Sequence, residues 1–177
     1  MKYWVFKVKQ EVGGLYCRSG TEIYEHRMTD GFWGIKEDPA KSKSVDSLES
    51  LEKGDHVIFY LVEPGQESRF LGTATIDSNY HKIDSEKEAK IIHKAYLDCD
   101  QGVFLKEIDR WSSSLSVENL RGKGPFGDGR ARFGPFFQGS VKLLESAEAF
   151  ETIINEHKLF SDLKTPKRKT KFSKFKR

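Results

Sequence analysis

The stretch Gly54-Asp55-His56-Val57-Ile58-Phe59-Tyr60-Leu61-Val62 decides how the rest of this chain is read. Lys53-Gly54-Asp55 is a tight turn, and the run from Val57 to Val62 has no polar break. An amphipathic strand would alternate, so a continuous apolar run predicts a strand covered on both faces. Glu63-Pro64-Gly65 is a turn signal, which makes Phe70 to Ile76 its antiparallel partner. Within that partner Gly72 and Ala74 are small residues on one face, and they leave room for something large opposite.

Working outward, Tyr3-Trp4-Val5-Phe6-Lys7-Val8-Lys9 alternates loosely and predicts an opening strand. Ser19-Gly20-Thr21-Glu22 is a capping box, followed by Ile23, Tyr24 and Met28 at helical spacing, with Gly31 as the stop. Asp38 to Ser47 is a polar loop, and Leu48 and Leu51 mark a short helical turn. Ser85-Glu86-Lys87-Glu88 caps a second helix with Ala89, Ile92, His93 and Tyr96 on its face. Val103 to Ile108 reads as a strand, residues 121–140 as a glycine-rich connection, and Val141 to Leu144 as the strand that closes the sheet. Ser146 caps a last helix with Phe150, Ile153 and Ile154 inward. Short strands interleaved with a few helices, lacking a βαβ rhythm, predict an α+β domain with a curved or barrel-like sheet.

Length and composition set the bounds. A chain of 177 residues fits one domain with an appendage. No apolar stretch approaches the roughly 18 residues of a membrane span, and no secretory leader is visible, so no membrane partner is expected. Two isolated cysteines, Cys17 and Cys99, suit a reducing compartment, and a cytoplasmic location is expected. The net charge of +3 is unevenly distributed: eight cations and no acids lie between Lys164 and Arg177, which leaves the first 163 residues at −5. The domain is therefore expected over 1–163, with 164–177 a basic, disordered tail. A mildly acidic body cannot hold a phosphate backbone by net charge alone, so any recognition by the domain needs a local patch or pocket.

In order and spacing, Tyr3-Trp4-Val5-Phe6-Lys7-Val8, Phe32-Trp33-Gly34-Ile35, Gly54-Asp55-His56-Val57-Ile58-Phe59-Tyr60 and Phe70-Leu71-Gly72-Thr73-Ala74 resemble the EVE domain. Phe137-Gln138-Gly139-Ser140-Val141 before a terminal helix resembles the close of such domains. The EVE domain belongs to the PUA-like superfamily, with YTH and ASCH domains as relatives. The resemblance implies a pseudo-barrel of about five to six mixed strands flanked by helices. It also implies a face that binds DNA or RNA and takes up a flipped or modified base. Residues 80–100 and the stretch from Arg121 to Gly134 depart from the family pattern.

Trp33 is the leading base-binding candidate, since it precedes Gly34, where backbone or ligand can approach closely. Stacking on such a ring is worth about 1–3 kcal/mol per base. Trp33 can equally cap the core. Trp4 alternates with Tyr3, so one of the two points outward or into a pocket. Tyr60 reads as core with a hydroxyl that needs a partner, and Trp111 as either a rim contact or packing. Arg121, Lys123, Arg130 and Arg132 share a glycine-rich loop with Phe126 and Phe133, the spacing of a backbone clamp or of a solvated loop. Lys167, Arg168 and Lys169 in the tail offer nonspecific phosphate contacts.

Catalytic and cofactor patterns are thin. His26, His56, His81, His93 and His157 are scattered, with no C-x-x-C or H-E-x-x-H, so no metal is expected. Gly122 to Gly127 spells G-x-G-x-x-G outside a strand-to-helix setting, and no cofactor is expected. Cys99 lies between Asp98 and Asp100, which disfavours its thiolate. The G-x-K-x-x-E-x-R pattern of ASCH hydrolases starts at Gly34-Ile35-Lys36, but Pro39 and Lys41 stand in place of its acid and arginine. The sequence thus predicts a nucleic-acid reader rather than an enzyme. A hydrolase of modified nucleosides, or an RNA-binding adaptor working through the tail, are the alternatives.

Overall fold

The structure is a computed structural model, and it describes residues 1–10, 18–35, 48–93, 99–127, 133, 136–137 and 139–164. Among these residues seven strands and three helices follow in the order β1 (Tyr3–Lys9), α1 (Gly20–Asp30), β2 (Phe32–Ile35), β3 (His56–Val62), β4 (Arg69–Ile76), β5 (His81–Lys82), α2 (Glu86–Ile92), β6 (Gln101–Ser116), β7 (Val141–Leu143) and α3 (Ala147–Lys164). The strands line up as β2-β6-β4-β3-β1-β7, with β5 on the β2 end of β6. Among the described residues only β1 and β3 run parallel; the other pairs are antiparallel. A single mixed sheet curled over helices is the α+β pseudo-barrel the sequence predicts.

Strand β3 earns its central place by burial on both faces. Val57, Phe59 and Leu61 enter one core, while Ile58 and Tyr60 enter another. Strand β1 lies beside it with matched alternation: Trp4, Phe6 and Val8 go to the first core, Tyr3 and Val5 to the second. The first core fills the barrel with Ile23, Tyr24 and Met28 of α1. The second lies between the outer face of the sheet and α3, through Ala149 and Ile153. The small residues of β4 have the predicted counterpart. A Cβ at Gly72 would lie 2.6 Å from the Tyr24 hydroxyl, which donates to the Leu71 carbonyl at 3.2 Å. Burial drives the Tyr24 phenol well above its ordinary range.

The helix ends follow the capping chemistry. Ser19 and Ser85 accept from the backbone N–H of Glu22 and Glu88, each at 3.2 Å. Gly31 closes α1 at φ 65°, a left-handed conformation that glycine adopts without a Cβ clash. Ser146 accepts from Ala149 at the start of α3. His93 sits one residue past α2 rather than on its face. It is buried there, with Nε2 2.6 Å from the Cys99 carbonyl oxygen. Tyr96, assigned to the same face, lies outside the described residues, as does the 38–47 loop.

Strand β6 differs from its reading. It spans sixteen residues, where the sequence suggests a strand from Val103 to Ile108. Two register shifts against β4 hide its length. Between Thr73 and Thr75, β6 advances from Asp109 to Lys106, and between Phe70 and Gly72 from Leu115 to Arg110. The extra residues break the two-residue period and bend the strand. The first bulge holds Glu107 at φ 50°, left-handed without glycine; the second holds Trp111 to Ser114.

Candidate nucleic-acid interface

Alternation along paired strands sorts the candidate rings onto different faces. Trp33 points into the barrel and is 2% exposed. Its ring centroid lies 5.0 Å from that of Phe6 and 5.2 Å from that of Phe59. The Arg27 guanidinium lies over the Trp33 ring at 4.4 Å, a cation–π contact. Trp4 is in the same core, with its indole N–H donating to the Asp55 carboxylate at 2.9 Å. Asp55 also accepts from the backbone N–H of Lys2 at 2.7 Å and of Glu52 at 3.2 Å, so it ties the first strand to the turn before β3. Gly34 approaches protein on its side-chain face: a Cβ there would meet the Phe32 ring and the Gln101 carbonyl at 2.6 Å and Cys99 at 2.8 Å.

Tyr60 lies on the opposite face from the tryptophans, between Phe70 and Phe137. Burial raises its pKa, and a hydrogen bond with the Ser68 side chain opposes the shift and supplies the partner its hydroxyl needs. Trp111 stacks on His157 of α3, with centroids 3.7 Å apart and planes 6° apart. The structure therefore divides these five residues. Trp4 and Trp33 share the barrel interior, Tyr60 and Trp111 share the α3 face, and Gly34 turns toward the small cluster of Phe32, Ile92 and Cys99.

The end of the barrel near Trp33 also holds polar groups that no sequence motif announces. Trp33 pairs with Val103 across β2 and β6, and Gln101, two residues before Val103, shares its side of the strand. Gln101 is 3% exposed. The Tyr80 hydroxyl, from a residue packed against the same core, donates to Gln101 Oε1. Gln101 Nε2 is buried without a hydrogen-bond partner among the described residues, and so is Arg27 Nε. Turning the amide over changes which atom is left, not that one is left. A buried donor without a partner costs about 1–3 kcal/mol, so such groups mark a place where a ligand group or water completes the bonding. The one signal in the sequence is a glutamine at a core-facing strand position, two residues ahead of Val103.

The basic candidates lie elsewhere. Arg121 forms an ion pair with Glu118 and reaches over the Phe133 ring at 5.2 Å. Lys123 pairs with Glu156 of α3. Both follow the 3-10 turn Val117–Leu120. Phe126, assigned to the same loop, is fully buried in the α3-side core. Arg130, Arg132, Lys167, Arg168 and Lys169 lie outside the described residues. Among the described residues no cluster of His, Cys, Asp and Glu is arranged to hold a metal, and no helix is long and apolar enough to cross a membrane.

This arrangement of strands and helices is a PUA-like fold. Human THYN1, solved with DNA containing 5-methylcytosine, superposes with a TM-score of 0.59 at 12% identity, over 89% of this chain and 98% of that one. A hypothetical protein from Leishmania major gives 0.58 at 16% identity, over 91% and 97%. The YTH domain of Zygosaccharomyces rouxii MRB1, solved with N6-methyladenosine RNA, gives 0.50 at 13% identity, over 88% and 86%. No protein-family model matches the sequence, and no curated protein sequence does.

Proposed function

We propose that this chain is a nucleic-acid reader that receives one base, modified or flipped, at the end of the barrel where Trp33, Arg27, Tyr80 and Gln101 come together. The observation that carries the reading is the Gln101 amide, buried with one polar atom unpartnered among the described residues and on the same side of the strand pair as Trp33. A base edge supplies the missing acceptor or donor. The Arg27 guanidinium is the group that gives way or slides along the base, since Phe6 and Phe59 hold Trp33 within the core. Two solved proteins of the same fold, one with methylated DNA and one with methylated RNA, support the assignment of ligand class. The acidic balance of the first 163 residues fits recognition through a pocket rather than through a charged surface.

The test is fluorescence anisotropy with matched DNA and RNA oligonucleotides, with and without 5-methylcytosine or N6-methyladenosine. Wild type should prefer one modified strand. Gln101→Leu, which keeps the volume and removes the amide, should erase about 1–3 kcal/mol of that preference. Equal affinity for every modified and unmodified pair, together with an unchanged Gln101→Leu profile, sinks the reading.

A further inference from the structure

On the other side of the sheet, between its outer face and α3, lies a groove of about 310 Å³ that the base-reading site does not use. Tyr3, His56, Phe150, Glu151, Asn155 and Lys158 line it. Tyr3 and His56 are cross-strand partners on β1 and β3, stacked with centroids 5.7 Å apart and planes 22° apart. Phe150 closes the aromatic wall, 4.8 Å from Tyr3 and 6.0 Å from His56.

His56 is held from behind. The Thr75 hydroxyl donates to the Glu107 carboxylate at 2.8 Å, so its oxygen faces His56 Nδ1, 3.3 Å away, as an acceptor. A carboxylate only accepts, which fixes the proton on Nδ1 and leaves Nε2 of the neutral ring as an acceptor. Glu107, the last member of this array, is the one non-glycine residue with positive φ among the described residues. Backbone outliers of this kind concentrate where a side chain must be aimed, and here the strained residue orients a histidine beside a cavity.

We infer that this groove is a second binding site and that its ligand is a nucleotide, meaning a nucleobase with its phosphate, either free or as one unit of a strand. The aromatic wall offers the base a stacking surface. His56 Nε2 accepts from a base N–H, and the Asn155 amide can give and take on the same edge. From Phe150 to Lys158 the helix advances about 12 Å, which sets the Lys158 ammonium a nucleotide's length from the wall, where it takes the phosphate. The Glu151 carboxylate accepts from sugar hydroxyls and repels further phosphates, so the site selects a monophosphate over a triphosphate.

Nucleoside monophosphates, the matching nucleosides and triphosphates, and a short single-stranded oligonucleotide are titrated into the full chain while the His56 ring resonances are followed by NMR. A saturable shift with a monophosphate, weaker with the nucleoside and the triphosphate, identifies a free nucleotide. A shift given by the oligonucleotide alone identifies a strand unit. In either case Lys158→Glu, an exposed change on a helix surface, should weaken binding at least about tenfold, and His56→Phe, read from the Tyr3 ring resonances, should weaken it while keeping an aromatic ring in the wall. Gln101→Leu should leave this binding intact. The proposal is overturned if no probe moves the His56 resonances up to roughly 10 mM, an affinity too weak to matter, or if Lys158→Glu binds as wild type does.

Discussion

Inside the barrel, Trp4, Phe6, Trp33 and Phe59 interlock until almost nothing of them is exposed, and Asp55 satisfies the Trp4 N–H. On the α3 face, Tyr3, His56 and Phe150 also touch one another, yet they border an open groove. Aromatic side chains that β1 and β3 send to opposite faces thus act in one place as filler and in the other as a wall. Curvature makes the difference. The concave side closes over its side chains, whereas the convex side is covered only where α3 and the connection carrying Leu120, Phe126 and Phe137 reach it.

Truncating a ring on each side gives the largest expected contrast. Trp33→Ala should cost about 3–5 kcal/mol of stability, because the cavity lies in a closed core. Phe150→Ala, at a half-buried position, should cost about 1–2 kcal/mol. Urea unfolding of both variants checks this. If Trp33→Ala were the milder change, the indole would be a mobile rim residue rather than a fixed part of the core.

A smaller effect separates the faces by pH. Burial lowers the pKa of His157, against the opposing pull of its hydrogen bond to the Ser113 carbonyl at 3.1 Å and of the Asp109 charge. A depressed folded-state value means that the neutral ring belongs to the folded protein. Its contribution is therefore complete above the ordinary histidine value of about 6.5 and is lost as pH falls from there through the folded-state value. Melting temperatures from neutral to mildly acid pH should decline less steeply in His157→Gln than in wild type. Parallel curves would mean that the stack on Trp111 tolerates the imidazolium.

How far the sequence leads follows from the same contrast. The uninterrupted run of β3, the capping serines and the turn at Glu63-Pro64-Gly65 are local signals, and each reappears as an element or an end. The length of β6 was hidden because its bulges destroy the alternation that reveals a strand. The site was less legible still. Sequence shows that Tyr3 and Trp4 face opposite ways, but not which side closes into a core. Gln101 and Trp33, like Glu107 and His56, are brought together only by pairing across the sheet, and no spacing along the chain encodes that meeting.

The smallest expected effect concerns the described cations of the glycine-rich connection. Arg121 and Lys123 are each already engaged, with Glu118 and Glu156. A free surface cation that binds a phosphate contributes about one to the slope of log affinity against log salt. A cation that must first leave a carboxylate contributes less, since the exchange swaps one ion pair for another. Arg121→Gln and Lys123→Gln should therefore each flatten the salt dependence by less than about one unit and weaken all sequences alike, with base preference untouched. A full unit would show that the pairs open freely and that this connection is a principal backbone contact. An unchanged slope would remove both residues from the interface and leave recognition to the barrel end and the groove.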